Sequence, residues 1–288
     1  YLYRGYFERV FAVKKELLRV LEQQFNIGWY VRGLCVSSRA NMYLGHWKEA
    51  IDDAKKALKA AEESSENSYV VFAIWTLSMA YTWRGDPSKG IEYGERALQN
   101  AVTPADKAWA QRGLGWALCR VGDANRGIDL LTSALKNFQT GHHMAGVIPT
   151  TCTLGEGYWL AGEENKATQK LEKGLEMAEH CEARYYVGFS QRLLGEIALK
   201  NNPAQAALRF DKSITVLKKI KAENELAHAY VGISKLYKQQ NKIAQTREYL
   251  IMALEIFEQL GTLLEPDKVK EILVKLPICK KGTRHLQA

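Results

Sequence analysis

A turn-forming residue recurs along the chain at Gly5, Gly45, Gly85, Gly122, Gly162, Asn201 and Asn241, 37 to 40 residues apart, and a shared side-chain pattern follows each one. Thirteen residues on stands a large aliphatic in every unit: Leu18, Leu58, Leu98, Leu135, Leu175, Ile214 and Leu254. Twelve residues on, the last six units carry a small residue (Ala57, Ala97, Ala134, Gly174, Ser213, Ala253). Five residues on come Ala50, Gly90, Gly127, Ala167 and Ala206, lapsing to Val10 in the first unit and Thr246 in the last. A small side chain beside a large one at helical spacing is the mark of a helix–helix contact. The small residue lets two axes approach to about 8–10 Å, and its neighbour fills the groove alongside. A second large–small step precedes the turns, as in Leu77-Ser78-Met79-Ala80-Tyr81, Leu114-Gly115-Trp116-Ala117-Leu118 and Leu154-Gly155-Glu156-Gly157-Tyr158. Each unit is therefore expected to be a helical hairpin. Its first helix ends at a residue of positive φ, a conformation that suits glycine and, at the fifth and sixth turns of full units, Asn201 and Asn241.

The spacing predicts a partial unit over 1–26 and full units over 27–66, 67–103, 104–143, 144–182, 183–222 and 223–262. Only four residues precede Gly5, so Tyr6, Phe7, Val10 and Phe11 are expected to be partly uncovered, an apolar face that invites association, for instance into a homodimer. Pro266 can open a short helix through about Leu276, with Val269, Ile272, Leu273 and Leu276 on one side, the form a capping helix takes. The stretch 277–288 shows no periodicity.

The pattern resembles the tetratricopeptide repeat, whose small–large signature stands here as Leu114-Gly115, Gly122-Asp123, Gly127-Ile128 and Ala134-Leu135, although the period exceeds the family's usual thirty-four. The resemblance covers nearly the whole chain and implies an all-α, right-handed α-solenoid of about six hairpins with the partial unit and the cap. Phe257-Glu258-Gln259-Leu260-Gly261-Thr262 and Glu265-Pro266-Asp267-Lys268 look like the close of long-period arrays found at the C-terminal end of large bacterial cyclase and ATPase signalling proteins. In such arrays the first helix of each hairpin lines the concave side. The resemblance thus places Cys35, Arg39 and Tyr43, then Trp75, Met79 and Trp83, then Arg112, Trp116 and Arg120, then Cys152, Glu156 and Trp159 on the groove, with Arg192, Glu196 and Lys200 on the next helix. Tryptophan and arginine dominate binding surfaces, and arginine stacks on indole. The expected function is a non-catalytic interaction module, part of a cytoplasmic signalling protein, that takes a protein or peptide partner, including other segments of its own longer chain. The alternatives are a small-ligand or peptide sensor and, third, a nucleic-acid binder. A helical aromatic stripe is equally the way a solenoid fills its axis. The asparagine with which chaperone-tail clamps of the family hold a carboxylate is absent, the comparable places holding Arg39, Met79, Trp116, Glu156, Glu196 and Lys235.

With 47% apolar and 25% charged residues, six prolines and five cysteines among 288, the chain has an ordinary folded composition and no disulfide framework. The uncharged run Asn67–Trp83 is short of a bilayer span and reads as a buried helix. Sixteen of the forty basic residues and nine of the 32 acidic ones fall in 200–288, so most of the net charge of +8 belongs to the last third. There Lys218, Lys219, Lys221, Lys235, Lys238 and Lys242 alternate with Glu223, Glu225 and glutamine, a solvated face rather than a nucleic-acid surface, and the third has no concentration of aromatic platforms for bases. No phosphate-binding loop, zinc helix pair, calcium loop, serine elbow or Cys-x-x-Cys occurs. No catalytic residue, metal or cofactor is expected. Cys35, Cys119, Cys152, Cys181 and Cys279 read as isolated fillers, and His142-His143 as an exposed loop.

Overall fold

The computed structural model describes residues 1–21, 26–64 and 66–277, and the described residues form helices without a strand. After α1 (Phe7–Leu21) come six helical hairpins: α2 (Ile27–Leu44) with α3 (Trp47–Glu62), α4 (Asn67–Arg84) with α5 (Pro87–Asn100), α6 (Pro104–Val121) with α7 (Ala124–Thr140), α8 (Met144–Leu160) with α9 (Glu164–His180), α10 (Arg184–Ala198) with α11 (Pro203–Lys219), and α12 (Glu223–Gln239) with α13 (Ile243–Leu260). A last helix, α14 (Glu265–Val274), packs on α13 and buries Val269. Beyond Pro277 the tail, Cys279 included, lies outside the described residues.

The two helices of a hairpin differ in how they meet water. First helices such as α4 are buried along most of their length, whereas second helices such as α5 bury one narrow side and expose charges on the other, which makes them the outer layer. The small residues read from the repeat lie at the crossings: Ala50, Ala57, Ala97, Ala134, Ala167, Ala206 and Ala253 are fully buried. A methyl group at Gly127 would stand 2.5 Å from the Gly115 carbonyl oxygen, so α6 and α7 approach backbone to backbone.

The turns at Gly45, Gly85 and Gly122 are left-handed, with φ of 84°, 94° and 98°. At Gly45 the amide donates to Met42 O, and that of His46 to Asn41 O, which satisfies the last carbonyls of α2. Asn241 shares the conformation, at φ 57°. Asn201 does not, contrary to the sequence expectation. There Ala198 O accepts from the amides of both Asn201 and Asn202, and the Asn202 side chain accepts from Gln205 N ahead of Pro203, so a capped start of α11 replaces a glycine-like end of α10. A second left-handed series, at His142, Glu182 and Lys221, connects successive hairpins and has no glycine to announce it.

The array closes on itself. Aromatic ends of early first helices meet the starts of late ones: Tyr43 of α2 hydrogen-bonds Tyr186 of α10 across 3.2 Å, and Trp83 Nε1 of α4 donates to Tyr185 Oη at 2.9 Å. On the outer rim the segment after α13 inserts against the second and third turns. Leu263 N donates to Arg84 O at 2.7 Å, and Trp47 Nε1 donates to Thr262 Oγ1, which donates to Asn224 Oδ1. Gly85 is caught in this seam, where a β-carbon would stand 2.4 Å from Leu263 O. Gly85→Ala is expected to cost about 2 kcal/mol or more, against about 1 kcal/mol for Gly122→Ala, whose β-carbon would meet open space. Urea midpoints of the two variants measure the difference.

Closure also alters the expected N-terminal face. Phe7 and Val10 are buried rather than uncovered, Phe7 against the Tyr43 ring at 6.0 Å, while Tyr6 is exposed and Phe11 is half-buried. The reason is the ring: the turn at Gly5 packs on Ile220 from the far end of the array.

Candidate functional site

The first helices converge on a common axis, and the axis is polar as well as aromatic. Arg39, Tyr43, Trp75, Met79, Trp83, Arg112, Trp116, Glu156 and Arg192 are all buried there, and Arg120 and Trp159 are half-buried. The expected open groove is filled by its own lining, because the contacts between α2 or α4 and α10 draw its two walls together. The stripe's far end stays open, where Trp159, Glu196, Lys200 and Lys235 surround a cleft of about 550 Å³ at the ends of α8, α10 and α12.

Two neighbourhoods divide the axis. In the first, Glu156 accepts from Trp116 Nε1 at 2.6 Å and from Arg120 at 2.8 Å, with the Arg120 guanidinium over the Trp116 ring. Beside it Arg192 donates to Glu225 at 2.5 Å and to Glu196 at 2.8 Å, and Lys235 reaches Glu196 at 3.3 Å. Tyr185 Oη donates to Glu225 at 3.3 Å, which ties the ring closure to this ion network. Burial works to raise the pKa of both carboxyls, yet the surrounding cations, Arg192 for Glu225 and Lys235 with Arg192 for Glu196, hold them below the usual carboxylate range. Burial pushes the Tyr185 and Tyr186 hydroxyls well above the tyrosine range, so both remain neutral hydrogen-bonding groups. His228, with its ring 5.0 Å from Phe257, is lowered by burial.

The signs of these shifts agree. A carboxyl whose folded pKa lies below the unfolded value of 4.5 stabilises the fold above that value and ceases to do so as pH falls through the folded one. His228, lowered from 6.5, is protonated first in the unfolded chain, so stability declines as pH falls below 6.5. The melting temperature is therefore expected to fall in two acid stages, one beginning near pH 6.5 and one below pH 4.5. His228→Phe should remove the first stage alone.

In the second neighbourhood Arg39 and Arg112 both lie over the Trp75 ring, at 5.5 and 5.4 Å from its centroid. Their polar partners are tyrosines: Arg39 donates to Tyr3 Oη, and Arg112 approaches Tyr186 Oη at 3.4 Å. Cys35 and Cys152 lie nearby, their thiols pushed up to about 12 by burial, and so they are unsuited to act as nucleophiles. Among the described residues no cluster of histidine, cysteine or carboxylate could hold a metal ion, and no helix is long and apolar enough to cross a membrane. The lysines of the last third, Lys218, Lys219, Lys221, Lys235, Lys238 and Lys242, are exposed, Lys218 and Lys242 over the rings of Tyr230 and Tyr237.

Sequence reasoning missed Tyr3, Tyr185 and Tyr186 and placed Glu225 on a solvated face, whereas Glu225 is buried by its pairing with Arg192, and these four residues take part in most of the axial hydrogen bonds. They lie near the start of the chain or of α10 and α12, whereas the repeat pattern directs attention to helix ends just before each turn. A further aromatic cleft it missed, of about 530 Å³, opens at the starts of α2, α4 and α6 among Trp29, Tyr69, Phe72 and Trp109.

Stacked helical hairpins with small residues at the crossings, glycine-capped turns and an axis lined by the first helices define an α-solenoid of the tetratricopeptide type. Solved structures of this class share the fold over nearly the full chain. The apo form of RapI is similar with a TM-score of 0.63 at 14% identity, over 88% of this chain and 93% of that one. NprR in complex with its cognate peptide NprX gives 0.69 at 12%, over 94% and 80%. A signal-transduction ATPase with a tetratricopeptide-repeat sensor, from Pyrococcus horikoshii, gives 0.59 at 15%, over 89% of this chain and 42% of that one. At such identities the likeness is one of fold. No protein-family model and no curated protein matches the sequence.

Proposed function

We propose that the chain is a non-catalytic interaction module that takes up a peptide along its axis and exchanges the closed ring for a more open, peptide-filled one. The observation that carries this reading is the chemistry of the axis. Aliphatic packing can often take the place of buried ion pairs at no loss of stability, yet here arginines, carboxylates and tyrosine hydroxyls are gathered with indoles on one line. Across that line Tyr43 hydrogen-bonds Tyr186 and Trp83 hydrogen-bonds Tyr185, each worth about 1 kcal/mol net, and the Tyr43 and Tyr185 rings stack at 4.3 Å, so a peptide that opens the ring has to replace both the hydrogen bonds and the aromatic contact. The likeness to NprR, solved with a peptide, supports the same use of the fold. The likeness to 42% of a longer signal-transduction ATPase that carries a tetratricopeptide-repeat sensor supports a place as the regulatory part of a larger cytoplasmic signalling protein.

The test is retention of peptides by the whole chain from a pool of random hexapeptides, read by mass spectrometry after gel filtration. Retained peptides should shift the tryptophan emission, since Trp83 and Trp75 border the line that opens. If nothing from the pool is retained at micromolar concentrations, the reading fails.

A further inference from the structure

Four arginines reach the axis, and two of them have no acid. Arg120 is paired with Glu156 and Arg192 with Glu225 and Glu196, so this chain does place carboxylates where an axial guanidinium requires one. Among the described residues neither Arg39 nor Arg112 forms an ion pair, although they are only 8% and 2% exposed. Removing a guanidinium from water without a counter-charge is costly, several kcal/mol per ion. The neighbourhood is also short of acceptors. Arg112 Nε and Trp75 Nε1 are buried with no hydrogen-bond acceptor in the protein, and both can only donate. Two cations without an acid and an orphaned indole N–H around one ring match a group that accepts hydrogen bonds and carries negative charge. A carboxylate is such a group, acceptor-only and matched to the guanidinium fork.

The way in is covered by the Tyr3 side chain. Tyr3, whose hydroxyl accepts from Arg39 and donates to Ala145 O, belongs to the turn of residues 1–6 that precedes α1. That turn is fastened across the ring by Arg4 to Glu182 at 3.5 Å, both half exposed, and by Arg184 to Tyr6 Oη at 3.5 Å. Exposed pairs of this kind contribute little, whereas Leu2, buried in the core, and Gly5, packed on Ile220, hold the backbone of the turn, so what a ligand displaces is the half-buried Tyr3 side chain and not the whole turn.

We propose that Arg39 and Arg112, over Trp75, are the seat of a peptide carboxylate, and that the Tyr3 hydroxyl holds the place of a ligand oxygen while the ring is closed. The inference rests on the reading of the chain as a peptide-binding module and names the chemistry of its ligand. The carboxylate is either the free C-terminus or an Asp or Glu side chain of the peptide.

The experiment uses the whole chain and four pools of random hexapeptides: with Asp and Glu and a free C-terminus, the same pool amidated, a pool without Asp and Glu, and that pool amidated. Retention by the wild type is compared with Arg39→Met, Arg112→Met and Tyr3→Ala. Peptides bearing a carboxylate should be enriched about tenfold or more over the acid-free amidated pool, the value of a charge-assisted hydrogen-bond pair. Both Met variants should lose that enrichment and melt no lower than wild type, because the guanidinium they remove is unpaired. Tyr3→Ala should raise retention, since the ligand no longer competes with the hydroxyl. Loss on amidation alone assigns the C-terminus, and loss on omitting Asp and Glu alone assigns a side chain. Equal retention from all four pools overturns the carboxylate seat and leaves the peptide module standing, a comparison that needs only the wild type. Carboxylate enrichment that survives in both Met variants also overturns the seat. Retention from none of the pools overturns the module and the seat with it.

Discussion

Trp116→Ala should lower the stability of the chain by about 3–5 kcal/mol, the range for deleting a fully buried large aromatic. The Trp116 ring fills the axis edge-on to Trp83 at 4.8 Å, lies under the Arg120 guanidinium and donates its N–H to Glu156. The alanine variant leaves a cavity, and it also removes a hydrogen bond from a carboxylate with 6% of its side-chain surface in water. Trp116→Phe keeps most of the volume and loses the hydrogen bond, so a smaller cost of about 1–3 kcal/mol is expected. Urea unfolding followed by circular dichroism gives both numbers. The transition should also stay single in the wild type. An open array can unfold unit by unit, whereas the seams from α2 to α10 and from Arg84 to Leu263 couple the two ends. Loss of binding on Trp116→Ala would therefore report the fold and not the ligand, and a ligand contact there has to be tested with a variant that preserves volume.

Glu225→Ala is the second large effect, about 3–5 kcal/mol. Glu225 and Arg192 are both nearly fully buried at 2.5 Å, and removing the acid leaves a guanidinium whose remaining carboxylate, Glu196, is shared with Lys235. The size of the effect comes from the stranded charge, not from the net worth of the pair. The double variant Arg192→Met with Glu225→Leu should accordingly recover most of the loss, as apolar replacement of a buried pair commonly does. A double variant as unstable as Glu225→Ala would show instead that Tyr185, which donates to Glu225, needs that acceptor to hold the ring. The contrast with Arg112 is direct: the same kind of side chain, equally buried, is predicted to be dispensable for stability where no acid faces it.

The sequence by itself determined the repeat. Positions five and twelve residues after most of the turns are small because two backbones meet there, and the fold shows Gly127 against Gly115 and fully buried alanines at equivalent places. Such contacts are local, made between helices adjacent in the chain, and a periodic sequence records them once per unit. The stripe of Arg39, Trp75, Arg112 and Trp116 was legible for the same reason, since one face of one helix has a fixed spacing. Whether that face meets water was decided only by tertiary structure. Tyr43 finds Tyr186 across 143 residues of chain, Trp47 finds Thr262 across 215, and the turn at Gly5 finds Ile220. These pairings depend on the small rotation between successive hairpins summed over six units, a quantity no single repeat encodes. Summation over the array turned a predicted groove into a filled axis and covered Phe7 and Val10. It also brought together two arginines that, read along the chain, are 73 residues apart.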